Sequence, residues 1–121
     1  MSFILVIEDE EDISEFLRYV LENEDYTVKT AKSLAEARAH LKDGLPDAVL
    51  LDRGLPDGDG LEICRELKKR GVKPPILVLS ARKNPEEVRE GLDAGADHYI
   101  VKPFEFMDVL SRLAAPPSAP H

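Results

Sequence analysis

The sequence has one cysteine, no tryptophan and few aromatic residues, four Phe and three Tyr among 121 residues. One cysteine rules out an intrachain disulfide and points to a reducing, cytoplasmic setting. Cys64 sits at helical spacing from Leu61 and Leu67, which makes it a small core hydrophobe. Basic residues are also scarce: 16 Lys and Arg face 24 Asp and Glu, a formal charge of -8. Duplex binding rests on neutralising phosphates with Lys and Arg, so this domain is not expected to grip nucleic acid or an anionic membrane. No apolar run approaches the roughly 20 residues of a membrane helix. Phe3 to Ile7 is too short for a signal-peptide core and has no basic flank.

What the chain does have is one domain's length and an ordinary globular balance, 43% hydrophobic and 33% charged. Short apolar runs alternate with helical patterns, the signature of a parallel sheet covered by helices. Phe3 to Ile7 is continuous and β-branched, a strand buried on both faces. Ile13, Phe16, Leu17, Val20 and Leu21 form a helical stripe. Tyr26 to Ala31 reads as a second, more polar strand at a sheet edge. Ser33-Leu34-Ala35-Glu36 is a capping box opening the second helix, with Gly44 as its stop. Ala48 to Leu51 is the third strand, Leu61 to Gly71 the third helix, and Ile76 to Leu79 the fourth strand. Asn84-Pro85-Glu86-Glu87 supplies a cap, an N1 proline and acidic residues for a fourth helix. His98 to Val101 is the fifth strand and Phe104 to about Ala114 the last helix. The proline-rich residues 116–121 read as a tail or the start of a linker, leaving residues 1–115 as the domain.

The polar residues fall where these strands stop. The first ends in Glu8-Asp9, the third in Asp52, the fourth in Ser80-Ala81 and the fifth in Lys102-Pro103. Right-handed βα crossovers bring all carboxyl ends to one edge, where open α/β sheets bind ligands. Each group has an ordinary reading by itself: a solvated helix start, a turn former, a loop hydroxyl, a surface charge. Their coincidence at four strand ends favours a site. Three clustered carboxylates need a cation, and hard oxygen donors without His or Cys suit Mg²⁺ rather than zinc. Asp52 is then positioned as a nucleophile toward phosphorus, with Lys102 as a point charge and Ser80 as a donor for phosphoryl oxygens.

These motifs resemble a CheY-like response-regulator receiver domain of two-component signalling over nearly the whole chain, Ile4 to about Ala114. The residues are Ile4-Leu5-Val6-Ile7-Glu8-Asp9-Glu10, Leu51-Asp52 with Leu55-Pro56-Asp57-Gly58-Asp59-Gly60, Ser80-Ala81, and Gly95-Ala96-Asp97-His98-Tyr99-Ile100-Val101-Lys102-Pro103-Phe104. The resemblance implies a flavodoxin-like (βα)5 fold, a doubly wound parallel sheet in the order 2-1-3-4-5. It implies Asp52 as phosphoacceptor, Asp9 as a direct Mg²⁺ ligand, Glu8 holding the metal through water, and the Gly54 carbonyl as a further ligand. Ser80 and Tyr99 match the switch pair, Lys102 the phosphoryl-binding lysine, and the Lys102–Pro103 bond is expected cis. The implied partners are a sensor histidine kinase or phosphotransfer protein as donor, and an output domain or protein reading the face of the fourth helix, fifth strand and fifth helix.

Some residues depart from the family's usual pattern. Glu8 replaces the commoner Asp, and Arg53 follows the phosphoacceptor where an apolar residue is usual. The Gly-Leu-Pro-Asp-Gly-Asp-Gly run resembles receivers fused to winged-helix output domains, which pair through charged residues; Asp97, Asp108 and Arg112 fit, whereas Val88 and His98 do not. A phosphorylation-dependent dimer is thus expected to be weak. Two rival readings accompany the first. A haloacid-dehalogenase-type Mg²⁺ phosphohydrolase also uses a strand-end Asp, a hydroxyl and a Lys, but needs an acid where Gly54 stands. A receiver-shaped module working without phosphorylation would leave the acid, hydroxyl and lysine set without a purpose.

Overall fold

The computed structural model of the protein describes residues 3–71 and 74–114. The expected tail, 116–121, lies outside the described residues. Five strands, β1 (Ile4–Ile7), β2 (Val28–Ala31), β3 (Ala48–Asp52), β4 (Ile76–Ser80) and β5 (His98–Val101), form one sheet. Its order is β2-β1-β3-β4-β5 and every pairing is parallel. Five helices connect and follow the strands: α1 (Glu11–Asn23), α2 (Leu34–Asp43), α3 (Leu61–Arg70), α4 (Pro85–Ala94) and α5 (Phe106–Ala114). This is the doubly wound, flavodoxin-like order that the strand pattern and the family resemblance led us to expect.

Side chains alternate across a strand, so a strand that is apolar at every position must be covered on both faces. On one face Leu5, Ile7, Val49, Leu51, Ile76 and Val78 pack with Leu34, Ala37 and Leu41 of α2, Leu61, Ile63, Cys64 and Leu67 of α3, and Ala94 of α4. On the other, Ile4, Val6, Leu50, Leu77, Leu79 and Ile100 meet Leu17 and Leu21 of α1 and Val109 of α5. β2, at the edge, is exposed at Lys29 and half-buried at Thr30, in keeping with its polar sequence. Cys64 is fully buried, the core role its spacing indicates.

The helix ends refine the sequence reading. Ser33 Oγ accepts from Glu36 N–H at 3.1 Å, while the Glu36 carboxylate accepts from Lys32 N–H rather than closing the box on Ser33. Two further N–H groups of α2, those of Leu34 and Ala35, donate to Asp57, 23 and 22 residues away. Asp57 thus caps α2 from the loop after β3, and those bonds hold its carboxyl below the usual range. Asn84 occupies the N-cap position of α4 without a side-chain cap bond. β2 begins at Val28 rather than Tyr26, and α5 begins at Phe106 rather than Phe104. Phe16 belongs to the sequence stripe of α1, yet it is 49% exposed and meets Phe106 edge-on, ring centroids 6.0 Å apart.

Leu17 is wholly buried against the α1 face of the sheet. Leu17→Ala is expected to cost about 2–5 kcal/mol, because the cavity left there collapses only in part. Urea unfolding checks this: the midpoint falls while the slope stays constant.

Candidate functional site

Strand register assembles the site. Ile7 pairs with Leu51, which places Glu8 and Asp52 side by side one step beyond. Asp52 itself pairs with Leu79, so Ser80 is the next residue of β4 along that edge. Ser80 in turn pairs with Val101, and Lys102 follows. Four neighbouring parallel strands therefore present Glu8, Asp52, Ser80 and Lys102 in one row. Asp9 joins them from the loop leading into α1: oxygens of Glu8, Asp9 and Asp52 lie within 4.8 Å of one another. Glu8, Asp52 and Ser80 are buried, whereas Asp9 is exposed. The Lys102–Pro103 peptide bond is cis.

The charges in this row are not balanced. Lys102 Nζ donates to Glu8 Oε1 at 2.8 Å and lies 3.7 Å from Asp52 Oδ2. One ammonium thus serves two buried carboxylates, with a third beside them. Burial pushes the Glu8 carboxyl up, Lys102 pulls it down, and the neighbouring Asp52 pushes it up again, so that it reaches about 7. Burial alone would depress the Lys102 ammonium, but the Glu8 bond and the charges of Asp52 and Glu8 hold it above its ordinary value. The donor set is carboxylate only, crowded and short of positive charge, which fits a hard divalent cation such as Mg²⁺.

The hydroxyls are linked through one backbone unit. Ser80 Oγ accepts from the Arg82 N–H at 3.0 Å, and the Tyr99 hydroxyl donates to the Arg82 carbonyl at 2.7 Å. Ser80 thus belongs to the row, while Tyr99 is aimed at the loop after β4 and not at the carboxylates. Its ring lies against α4, where a Cβ on Gly91 would come within 2.6 Å of it. Nothing in the sequence pattern singled out Arg82 or Gly91, because each acts through backbone atoms or through the absence of a side chain.

Around Asp52 the loop is tightly bound. Gly54 N–H donates to Asp52 Oδ1 at 3.3 Å, and Gly60 N–H donates to the Arg53 carbonyl at 2.8 Å. Gly60 is required by contact: a Cβ there would sit 2.2 Å from the Asp52 carbonyl oxygen. Asp59 accepts from Leu61 N–H and so caps α3. Arg53, unassigned from sequence, is 1% exposed and reaches Asp59, Glu90 and the Glu87 carbonyl. On the far side, Asp97 accepts from Ile76 N–H, and Arg112 donates to Asp108 and contacts His98 Nδ1. Asp97, Asp108, Arg112 and His98 thus already have partners within this chain.

A family model for the response regulator receiver domain matches residues 4–114. The chain belongs to the response regulator receiver domain family. Response regulator MprA of Mycobacterium sp. (strain KMS) is 45% identical over 112 residues, 93% of this chain and 49% of that protein. MprA of Mycobacterium ulcerans (strain Agy99) is likewise 45% identical over 112 residues, 48% of its own length. The receiver domain thus spans about half the length of the curated relatives it matches. Among solved structures, the non-phosphorylated HemR receiver domain from Leptospira biflexa superposes with a TM-score of 0.86 at 33% identity, covering 100% of this chain and 99% of that one. The BeF3-activated DrrB receiver domain gives 0.81 at 32% identity, over 93% and 95%. Receiver domains are phosphorylation switches of two-component systems rather than metabolic enzymes, and they bind Mg²⁺ at an acidic pocket. Among the described residues no helix is long and apolar enough to cross a membrane.

The raised Glu8 value has a signed consequence. Without a divalent cation, the folded receiver domain holds a proton at Glu8 that the unfolded chain, titrating near 4.5, has released. This contribution to stability is complete below about pH 4.5 and is lost as pH rises through about 7. The Glu8 carboxyl, followed by carbon-13 NMR in a chelator, should titrate near 7, and Asp52→Asn should lower that midpoint. A midpoint near 4.5 in the unsubstituted protein contradicts the assignment.

Proposed function

We propose that the receiver domain, residues 1–115, accepts a phosphoryl group on Asp52 from a sensor histidine kinase or phosphotransfer protein, in the cytoplasm. The supporting observation is the convergence of the Glu8, Asp9 and Asp52 carboxylates within 4.8 Å, with the Lys102 ammonium against two of them. In this reading an Asp52 carboxylate oxygen attacks phosphorus in line. A P–O bond forms, the P–N bond of the donor phosphohistidine breaks, and its electron pair stays with the imidazole. The product is an acyl phosphate. Asp9, Asp52 and the Gly54 carbonyl would hold Mg²⁺ directly, and Glu8 through water. When bound, Mg²⁺ supplies positive charge that offsets the crowded carboxylates and the incoming phosphoryl oxygens.

The chain's own groups do the remaining work. Lys102 now sits mainly on Glu8; once Asp52 gains a charge of about −1.5 to −2, the ammonium is within reach to shift toward it. Ser80 gives up the Arg82 N–H and turns its hydroxyl to a phosphoryl oxygen. Because Arg82 also holds the Tyr99 hydroxyl, that exchange is passed to the loop preceding α4 and to the α4–β5–α5 face. Ala81, small and exposed, leaves the approach open beside a cleft lined by Ile13, Phe16, Pro103 and Phe104. Residues 116–121 would lead toward an output domain, in keeping with relatives about twice as long. The same face serves an output domain or a separate protein.

Incubation with Mg²⁺ and acetyl phosphate or phosphoramidate should add one phosphoryl group, read by intact-mass spectrometry. Asp52→Asn should abolish it, and chelation of Mg²⁺ should suppress it in the unsubstituted protein. No adduct, or an undiminished adduct in Asp52→Asn, contradicts the proposal.

A further inference from the structure

Arg53 is a large buried side chain that neither the core nor the acidic row explains. It is 1% exposed, and a guanidinium cannot shed its charge to relieve burial. Its position is therefore decided by its hydrogen bonds. Nε and Nη2 engage the Asp59 carboxylate at 3.4 and 2.9 Å, Nη2 also meets Glu90 Oε1 at 2.6 Å, and Nη1 donates to the Glu87 carbonyl at 3.0 Å. One partner belongs to the loop after β3, and two belong to α4, 34 and 37 residues along the chain. The backbone of Arg53 is fixed as well, since its carbonyl accepts from both Leu55 and Gly60 N–H groups.

Location gives these bonds their meaning. Arg53 lies between Asp52, the last residue of β3, and Gly54, both assigned above to the phosphoryl and metal site. Its side chain leaves on the opposite side from Asp52 and ends under α4. That helix is otherwise lightly held: of its ten residues only Gly91 and Ala94 are buried. The Tyr99 ring rests on Gly91, and Tyr99 is also among the groups that favour the charge of Arg53. An apolar residue at position 53 would let α4 slide over it. A planar fork with directional bonds and a high cost of leaving them unmade does not.

We propose that Arg53 is a positioning residue that ties the backbone between Asp52 and Gly54 to the first two turns of α4, so that occupancy at Asp52 is transmitted to α4. A displacement of the Asp52–Gly54 segment must either carry α4 with it or break the charge-assisted bonds of a buried guanidinium. The route meets the one through Ser80, Arg82 and Tyr99 at the same helix: Arg82 Nη1 lies 3.8 Å from the Asp59 carboxylate that Arg53 binds, and Tyr99 also favours the Arg53 charge. It rests on the reading of Asp52 as phosphoacceptor.

The test uses the whole chain with Mg²⁺ and beryllofluoride as phosphoryl mimic. Fluorine NMR reports the bound mimic, and amide shifts and hydrogen exchange report α4. In the unsubstituted protein the mimic should move the amides of Val88–Ala94. Arg53→Met and Glu90→Gln should retain the bound-fluoride signal yet lose more than half of that α4 response, with Arg53→Lys in between. Without the mimic, Arg53→Met should speed exchange in the first turns of α4 by about tenfold, the effect of losing one charge-assisted bond, with β1 and β3 unchanged. Should Arg53→Met fail to fold, Glu90→Gln decides. A full α4 response in the substituted proteins, or unaltered α4 exchange in the absence of mimic, overturns the tether. No bound fluoride in the unsubstituted protein overturns instead the reading of Asp52, and the exchange measurement then judges the tether alone.

Discussion

Two buried carboxylates held together by strand register, with a third beside them from the adjoining loop and one ammonium against the pair, are the constraint on which this molecule turns. Parallel pairing of β1 with β3 leaves no freedom to separate Glu8 from Asp52, because both continue strands whose apolar residues are locked into the two cores. Burial first, and the neighbouring Asp52 second, push the Glu8 carboxyl up, and Lys102 is drawn onto Glu8 at 2.8 Å. A site in this condition favours whatever brings positive charge to it. It also responds to added negative charge by redistributing the contacts it has. Stability and function therefore pull against each other at the edge of the sheet, as they do wherever like charges are buried for a purpose.

Much of this is legible in the sequence. Continuous apolar runs marked strands covered on both sides, and the residues ending them marked the site, because parallel topology converts position in the sequence into position on an edge. Lys102 could be assigned to the same crevice as Glu8, 94 residues away, on that argument alone. The parts that were not readable share a different property. Asp57 looks like a turn residue until its bonds to the start of α2 are seen, and Arg53 looks like an anomaly until α4 is placed over it. Arg82 acts through its peptide group, which no side-chain pattern encodes. Periodicity and capping rules describe neighbours along the chain; these contacts depend on how helices settle on the sheet, and on that local sequence is silent.

The chemistry at Asp52 and the face that reads it are joined by backbone and side chain together. Ser80 and Tyr99 meet on the Arg82 peptide, and Tyr99 rests on a helix that only Gly91 and Ala94 bury. α4 buries only those two of its ten residues, and both Arg53 and Tyr99 touch it. Its partners are polar and directional rather than apolar, which suits an element meant to have two positions instead of one. On the α4–β5–α5 face Asp108, Arg112 and His98 are paired with one another. Any partner that uses them must exchange those bonds for its own.

The central claim is that the phosphoryl group is held as an acyl phosphate on Asp52. Borohydride reduction addresses it directly, since it cleaves an acyl phosphate and leaves homoserine in place of the aspartate while sparing a phosphate ester. After phosphorylation with acetyl phosphate and Mg²⁺, peptide sequencing by mass spectrometry should find homoserine at position 52 alone. Unreduced Asp52 together with a borohydride-resistant phosphate elsewhere, on Ser80 for example, would contradict the account.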